Sequence, residues 1–115
     1  MFVGVARIVI QIPAARSLKD RRSVVRSFKE RTRARLKVSI AEVGDVESWQ
    51  VATFGVSVVA RESRACEEAI TQTVKVARGL SEAVLADVRT EILSFGRGGE
   101  SLAHGIESLL DEDAP

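Results

Sequence analysis

The first part of the chain runs FVGVARIVIQIPAARSLKD from Phe2 to Asp20. Its opening segment is mostly apolar and rich in Val and Ile, which predicts a strand buried on one face and partly covered on the other. Pro13 ends that strand. Ser17 and Asp20 follow in a Ser-x-x-Asp arrangement, whose hydroxyl and carboxylate can each accept a hydrogen bond from a free N–H at a helix start. The stretch therefore predicts a strand followed by a helix that extends to about Leu36.

A hairpin and a second helix are predicted next. Residues 37–43 and 50–60 are β-branched runs, and residues 44–49 between them contain turn-forming residues. This pattern predicts two antiparallel strands joined by a rather long loop. Ser63 is placed to cap a second helix, which we expect to end near Leu80.

The last predicted strand covers residues 84–92, where apolar and polar side chains alternate. The alternation directs five side chains inward: Val84, Ala86, Val88, Thr90 and Ile92. A strand of this kind is half exposed and is typical of a sheet edge. The complete order is therefore βαββαβ. Two right-handed β-α-β crossovers that share one sheet give an α+β, ferredoxin-like split fold, with a four-stranded antiparallel sheet and both helices on one face.

The length of the chain allows one domain. Its 115 residues, of which 45% are hydrophobic, are enough for a single core. We expect this domain to span residues 1–95. Residues 96–115 are expected to form a Gly-rich joint and a mobile acidic tail that ends in Asp111, Glu112 and Asp113, with room for one short helix.

Familiar catalytic and cofactor chemistry finds no support in the sequence. The single cysteine, Cys66, cannot form an internal disulfide and suits a reducing compartment, so we expect a cytoplasmic protein. Cys66 shares a helical stripe with apolar residues, which predicts a place in the core. No spacing of His, Cys or carboxylates predicts a metal site. The apolar start is too short to cross a bilayer. We therefore predict a non-enzymatic protein without a cofactor, a membrane partner or an evident small-molecule substrate.

Several of these segments together resemble a known family. They are the run from Ser17 to Arg22, the helix 24–36, the sequence Val-Ser-Ile-Ala-Glu-Val at residues 38–43, and Trp49. In this order and spacing they resemble the YlxP-like family of small bacterial proteins, also called DUF503. The resemblance implies a ferredoxin-like fold and, in many bacteria, a gene beside translation and ribosome-maturation genes such as that of ribosome-binding factor A. It implies no established activity and no catalytic residues.

Charge is strongly segregated along the chain. Residues 16–37 contain ten of the seventeen Lys and Arg residues but only two acids, so this segment carries +8 and the remainder carries −7. Such a local field attracts a polyanion even when the net charge is close to zero. Five residues recur at intervals of three and four along the first helix, and we name them the basic ridge: Lys19, Arg22, Arg26, Lys29 and Arg33. The ridge is about 20 Å long at ~1.5 Å per residue.

Two functions fit this pattern. In the first, the basic ridge and Arg21 bind the phosphates of structured RNA, with ribosomal RNA as the expected target, and the free N–H groups of the helix start contribute. In the second, the chain is a homodimeric protein-interaction module whose basic helix meets an acidic protein partner. The homodimer would form through an aliphatic sheet face near Val3, Val5, Val51 or Val59. A third interpretation is a solvated helix face neutralised by acids elsewhere.

Two further residues are candidates for contacts. Trp49 is a candidate partner contact, through stacking on a base or anchoring to a protein, although it can equally be a packing residue that holds the hairpin loop. Glu42 lies on a predicted strand and is expected to form an ion pair with Arg7 or with the basic helix. The predicted sheet offers valines where RNA-recognition domains of the usual type stack bases on aromatic side chains, so that mode of binding is not expected.

Overall fold

The computed structural model describes residues 1–44 and 48–96. The elements along the chain are β1 (Phe2–Gln11), α1 (Leu18–Arg35), β2 (Ser39–Glu42), β3 (Val51–Ala60), α2 (Ser63–Arg78) and β4 (Val84–Ser94). The strands form one antiparallel sheet in the order β2-β3-β1-β4. The predicted α+β ferredoxin-like split fold is confirmed. Predictions for the tail from residue 97 onward lie outside the described residues.

The core lies between the sheet and the two helices. Alternate residues of β1, including Ile8 and Ile10, are fully buried on the helix-covered face. Phe28 of α1 meets Phe54 of β3 edge to face, with ring centroids 4.8 Å apart. Full burial of a large apolar side chain contributes roughly 1.5–3 kcal/mol, so these residues dominate the stability of the fold.

Helix α2 crosses β1 very closely at Gly4. A Cβ atom at this position would lie 3.0 Å from both the Cβ of Cys66 and the Cδ1 of Ile70. Cys66 is fully buried, and its thiol donates to the carbonyl oxygen of Phe2 at a sulfur–oxygen distance of 3.6 Å. The predicted core position of Cys66 is therefore confirmed. Glycine is favoured at residue 4 because a side chain there would require Cys66 and Ile70 to shift by a few tenths of an ångström.

The start of α2 differs from the prediction. Glu62, not Ser63, is the N-cap residue, and no side chain accepts a capping hydrogen bond there. Glu62 has extended backbone angles, so the helix already begins at Ser63, where the hydroxyl is inside the first turn. The helix ends at Arg78, two residues before the predicted end at Leu80.

A bulge changes the inward pattern of β4. Val9 of β1 pairs with Asp87, but Ile10 pairs with Leu85, so Ala86 is an extra residue in β4. Beyond the bulge the alternation reverses: Leu85 packs against the core, whereas Val84 is 54% exposed. The predicted inward placement of Val84 and Ala86 was therefore wrong. The prediction that β4 is an edge strand is confirmed by the strand order.

The sheet face without helices is mixed in character. Arg7 lies in its middle, opposite Arg89 of β4, and forms a salt bridge to Asp87 with a nitrogen–oxygen distance of 3.9 Å. The valines lie around this group, and Val59 is 64% exposed. The face is therefore apolar toward its ends and charged where β1 meets β4.

Candidate anion-binding surface on helix α1

Helix α1 begins with a network of local hydrogen bonds. The hydroxyl of Ser17 accepts a hydrogen bond from the N–H of Asp20 at 3.2 Å, and the Asp20 carboxylate accepts one from the N–H of Arg16 at 3.0 Å. The predicted capping role of Ser17 is confirmed, whereas Asp20 bonds the N–H of Arg16, the residue before the cap. The Ser17 hydroxyl therefore already bonds one of the N–H groups that an anion at the start of α1 would use.

The buried side of α1 fixes the direction of its basic side chains. Val24, Val25 and Phe28 pack against the sheet, together with Thr32. Leu18, the first residue of the helix, is 41% exposed, whereas Val24 is buried. The apolar stripe turns the opposite surface of the helix toward solvent.

The first three residues of the basic ridge, Lys19, Arg22 and Arg26, line a shallow groove on the exposed surface of α1. The groove has a volume of about 540 Å³. Its lining residues are Lys19, Arg22, Ser23, Arg26, Ser27, Glu30 and Arg31. Four of them are basic and only Glu30 is acidic, so the surface attracts anions.

Sequence reasoning missed three residues of this groove. Ser23, Ser27 and Arg31 follow Lys19 at successive intervals of four, so they lie in one row along the helix. Because the two serine side chains are short, they leave the neighbouring basic side chains open to a ligand in the groove. Their hydroxyl groups are donors of the kind that proteins use for phosphate oxygens. The four-residue spacing from Lys19 is the signal in the sequence that could have revealed this row.

The last two residues of the basic ridge, Lys29 and Arg33, do not line this groove, and Arg33 contacts β2. Lys29 is half-buried, and the guanidinium of Arg33 donates a hydrogen bond to the carbonyl oxygen of Ile40 at 3.0 Å. Arg33 remains exposed as a residue and keeps its full charge, because a carbonyl group does not neutralise it. No ridge side chain forms a salt bridge with another residue of the described segments 1–44 and 48–96.

Arg21 is separated from the basic ridge by the structure. It is only 4% exposed, and its Nη2 forms an ion pair with Glu42 of β2 and donates to the carbonyl oxygen of Val51 of β3 at 3.3 Å. Of the two partners predicted for Glu42, which were Arg7 and the basic helix, Glu42 contacts the basic helix. The pair connects α1 with the β2 edge of the sheet. Its charge is already neutralised, so Arg21 is not offered to an external anion.

Trp49 lies at the same end of the molecule as the start of α1. Its neighbour Gln50 accepts a hydrogen bond from the N–H of Ile12 at 2.8 Å, and the Gln50 side chain donates to the carbonyl oxygen of Pro13 at 3.3 Å. Trp49 itself is 51% exposed. A large aromatic surface is therefore open to a partner at the end of the molecule where α1 begins, although Trp49 does not line the groove.

The described residues contain no cluster of three or more His, Cys, Asp and Glu side chains that could hold a metal ion. In the same part of the chain, neither helix has the length and apolar character needed to cross a membrane. Within the strands, the aromatic side chains belong to the helix-covered face: Phe54 is fully buried and Phe2 packs against the core. The open face of these strands therefore lacks an aromatic platform for stacking bases.

Comparison with known proteins identifies the family. A family model described as "Protein of unknown function (DUF503)" matches residues 3–90. The uncharacterized protein YlxP of Bacillus subtilis (strain 168) is 28% identical over 89 residues, which cover 77% of this chain and 97% of YlxP. The de novo designed protein Foldit4 is 10% identical and superposes with a TM-score of 0.47, covering 82% of this chain and 98% of its own. The chain belongs to the DUF503 family of proteins of unknown function.

Proposed function

We propose that the chain is a non-enzymatic protein that binds structured RNA, with ribosomal RNA as the expected target, through the phosphates that contact its basic ridge. The observation that carries this proposal is the exposed outer surface of α1. There Lys19, Arg22 and Arg26 lie together without a salt bridge to another described residue, and two serine hydroxyls lie between them and Arg31.

The energetic reason lies in the repulsion within the ridge. Like charges three and four residues apart destabilise a helix by about 0.2–0.5 kcal/mol per pair. A phosphate backbone supplies the opposite charge, and its condensed counterions are released on binding, which favours the complex at low salt. Three exposed residues, or five with Lys29 and Arg33 included, correspond to roughly three to five phosphate contacts.

Recognition would depend on the shape of the RNA rather than on its sequence. The ridge is a row of charges along one face of a helix, which fits contacts to phosphates along a folded RNA surface. Trp49 is exposed and can stack on an unpaired base, an interaction worth about 1–3 kcal/mol. The gene neighbourhood implied by the family resemblance supports a ribosomal target, and the cytoplasm is the expected location.

Crosslinking in cells tests this proposal. Three forms of the full chain should be compared: the wild type, the ridge variant R22E/R26E/K29E, and the control variant R61E/K75E/R78E. The control reverses the same number of charges on exposed residues of the β3–α2 turn and α2. We expect crosslinked RNA with the wild type and the control but not with the ridge variant.

The same experiment distinguishes the protein-interaction alternative. If the crosslinked partner is a protein and its recovery survives nuclease treatment, the basic helix serves as a protein-binding surface. Equal RNA recovery from the ridge and control variants would reject the ridge as the binding site. Circular dichroism of each variant would show that loss of crosslinking does not come from unfolding.

A further inference from the structure

The two edges of the sheet differ greatly in length. The β2 edge spans four residues, whereas β4 spans eleven. Within residues 1–44 and 48–96, no strand pairs with the outer side of β4. β4 contains neither proline nor lysine, which commonly protect exposed edges from pairing with other chains. A long edge strand with unpaired backbone groups is a template for another strand.

The charges of β4 show which strand fits this edge. Asp87, Arg89 and Glu91 follow one another on the open face of the sheet, where they are exposed. Val88 and Ile92 lie on the opposite side and are only half-buried. A second copy of β4, placed antiparallel about a two-fold axis, would bring each of these residues opposite a residue of the same strand.

One alignment joins opposite charges and apolar residues in the two pairs on each side of the axis, and it leaves Asp87 opposite Leu93. With the two-fold axis at Thr90, Arg89 lies opposite Glu91 of the second copy on both sides of the axis, and Val88 lies opposite Ile92. With the axis at Arg89, Asp87 would face Glu91 and Arg89 would face itself, so all these pairs would repel. With the axis at Val88, Arg89 would face Asp87, but pairing would reach the bulge at Ala86 after one residue on each side of the axis and leave Glu91 opposite Leu85. A two-fold axis midway between two neighbouring residues would place side chains from different faces of the sheet opposite each other.

We propose that two copies of the chain associate through β4, with the two-fold axis at Thr90, to form a continuous eight-stranded antiparallel sheet. The partner contributes backbone hydrogen bonds along the edge, two ion pairs between Arg89 and Glu91, and an apolar cover for Val88 and Ile92. This arrangement leaves Arg7 and its charged neighbours at the surface. A dimer packed face to face would remove these charges from water, which is costly.

The edge-paired dimer keeps the basic ridge accessible. Helix α1 is attached to β2, through Arg21 and Arg33, at the sheet edge opposite β4. The two ridges would therefore lie at the far ends of the eight-stranded sheet. The dimer does not depend on RNA binding, and RNA binding does not depend on the dimer.

A charge exchange tests this pairing in solution. Light scattering at high micromolar concentration should give twice the 12.5 kDa of one chain for the wild type. R89E places two acids opposite each other and E91R places two bases opposite each other, so each should weaken the dimer by about tenfold or more. The double variant R89E/E91R restores both ion pairs and should recover the dimer. V59E lies on the open face, away from this edge, and should have no effect.

Disulfide trapping provides a second measurement. T90C brings two thiols together on the axis at a Cα separation of about 4.5–5.5 Å, which allows a disulfide. S94C is the matched control, because its two copies would lie about 27 Å apart at ~3.4 Å per residue. Oxidation should link T90C and leave S94C as single chains. Any one of four results would overturn the proposal. The wild type could be monomeric, or R89E/E91R could fail to recover the dimer. V59E could lose the dimer, or S94C could be linked while T90C is not.

Discussion

Replacing Glu42 with Gln should destabilise the protein far more than the loss of an ordinary surface ion pair. The side chains of Arg21 and Glu42 are only 5% and 16% exposed. Gln keeps the shape of Glu and a carbonyl oxygen, but it leaves the Arg21 charge without compensation. Removal of one partner from a buried ion pair costs about 3–5 kcal/mol. Because Gln retains one acceptor, we expect a loss of about 3 kcal/mol, which for a domain of this size lowers Tm by roughly 10–20 °C.

Urea unfolding followed by circular dichroism measures this loss. The control is D87N, which removes the salt bridge between Arg7 and Asp87, where both side chains are more than half exposed. An exposed pair of this kind contributes about 0–1 kcal/mol. The double variant R21M/E42L removes both buried charges at once and should recover most of the stability.

The same variants separate Arg21 from RNA binding. R21M/E42L leaves the net charge and the basic ridge unchanged, so the folded double variant should bind RNA as tightly as the wild type. If E42Q lost no more stability than D87N, the ion pair would not hold α1 against β2. If R21M/E42L folded but failed to bind RNA, Arg21 would belong to the binding surface after all.

Three smaller changes give further predictions. G4A should cost about 1–3 kcal/mol of unfolding free energy, because the added methyl group would lie 3.0 Å from Cys66, and a wild-type denaturation midpoint would contradict this close approach. S17A should cost about 1 kcal/mol through loss of the hydrogen bond from the Asp20 N–H, and an unchanged melting curve would show that the cap is dispensable. Deletion of residues 97–115, which removes five acids and one base, should tighten the binding of a polyanion measured by fluorescence anisotropy, whereas an equal affinity would reject competition by the tail.

The sequence was sufficient for the fold because each element has its own local pattern. The apolar run of β1 and the Ser17 cap are properties of a few neighbouring residues. The bulge that turns Leu85 inward was not predictable in this way, because it depends on how β4 pairs with β1. Leu18 and Val24 are both apolar. Only the position of the helix over the sheet explains why Val24 is buried and Leu18 is exposed.

The candidate site was predictable only in part. The spacing of the basic ridge was visible in the chain, since three- and four-residue intervals define a helix face. Arg21 has the same residue type as its neighbours, but it precedes Val24, Val25 and Phe28 by three, four and seven residues, a spacing that places it on the buried face of α1. Its partner Glu42 is 21 residues away, so their pairing follows from the position of β2 in the sheet. The role of Trp49 stays a prediction, and the V59E variant distinguishes the homodimer predicted through the sheet face from the pairing through β4.

The salt dependence of RNA binding tests the central claim most directly. The dissociation constant for a structured ribosomal RNA fragment should be measured over a range of salt concentrations with the wild type, R22E/R26E/K29E and R61E/K75E/R78E. Each phosphate contact contributes about −0.7 to −0.9 to the slope of log affinity against log salt, so three to five contacts predict a wild-type slope of about −2 to −4. The control variant should keep this slope, and the ridge variant should lose most of it together with its affinity. A wild type without salt-sensitive binding near physiological ionic strength, or a ridge variant that binds as tightly as the wild type, would contradict the claim.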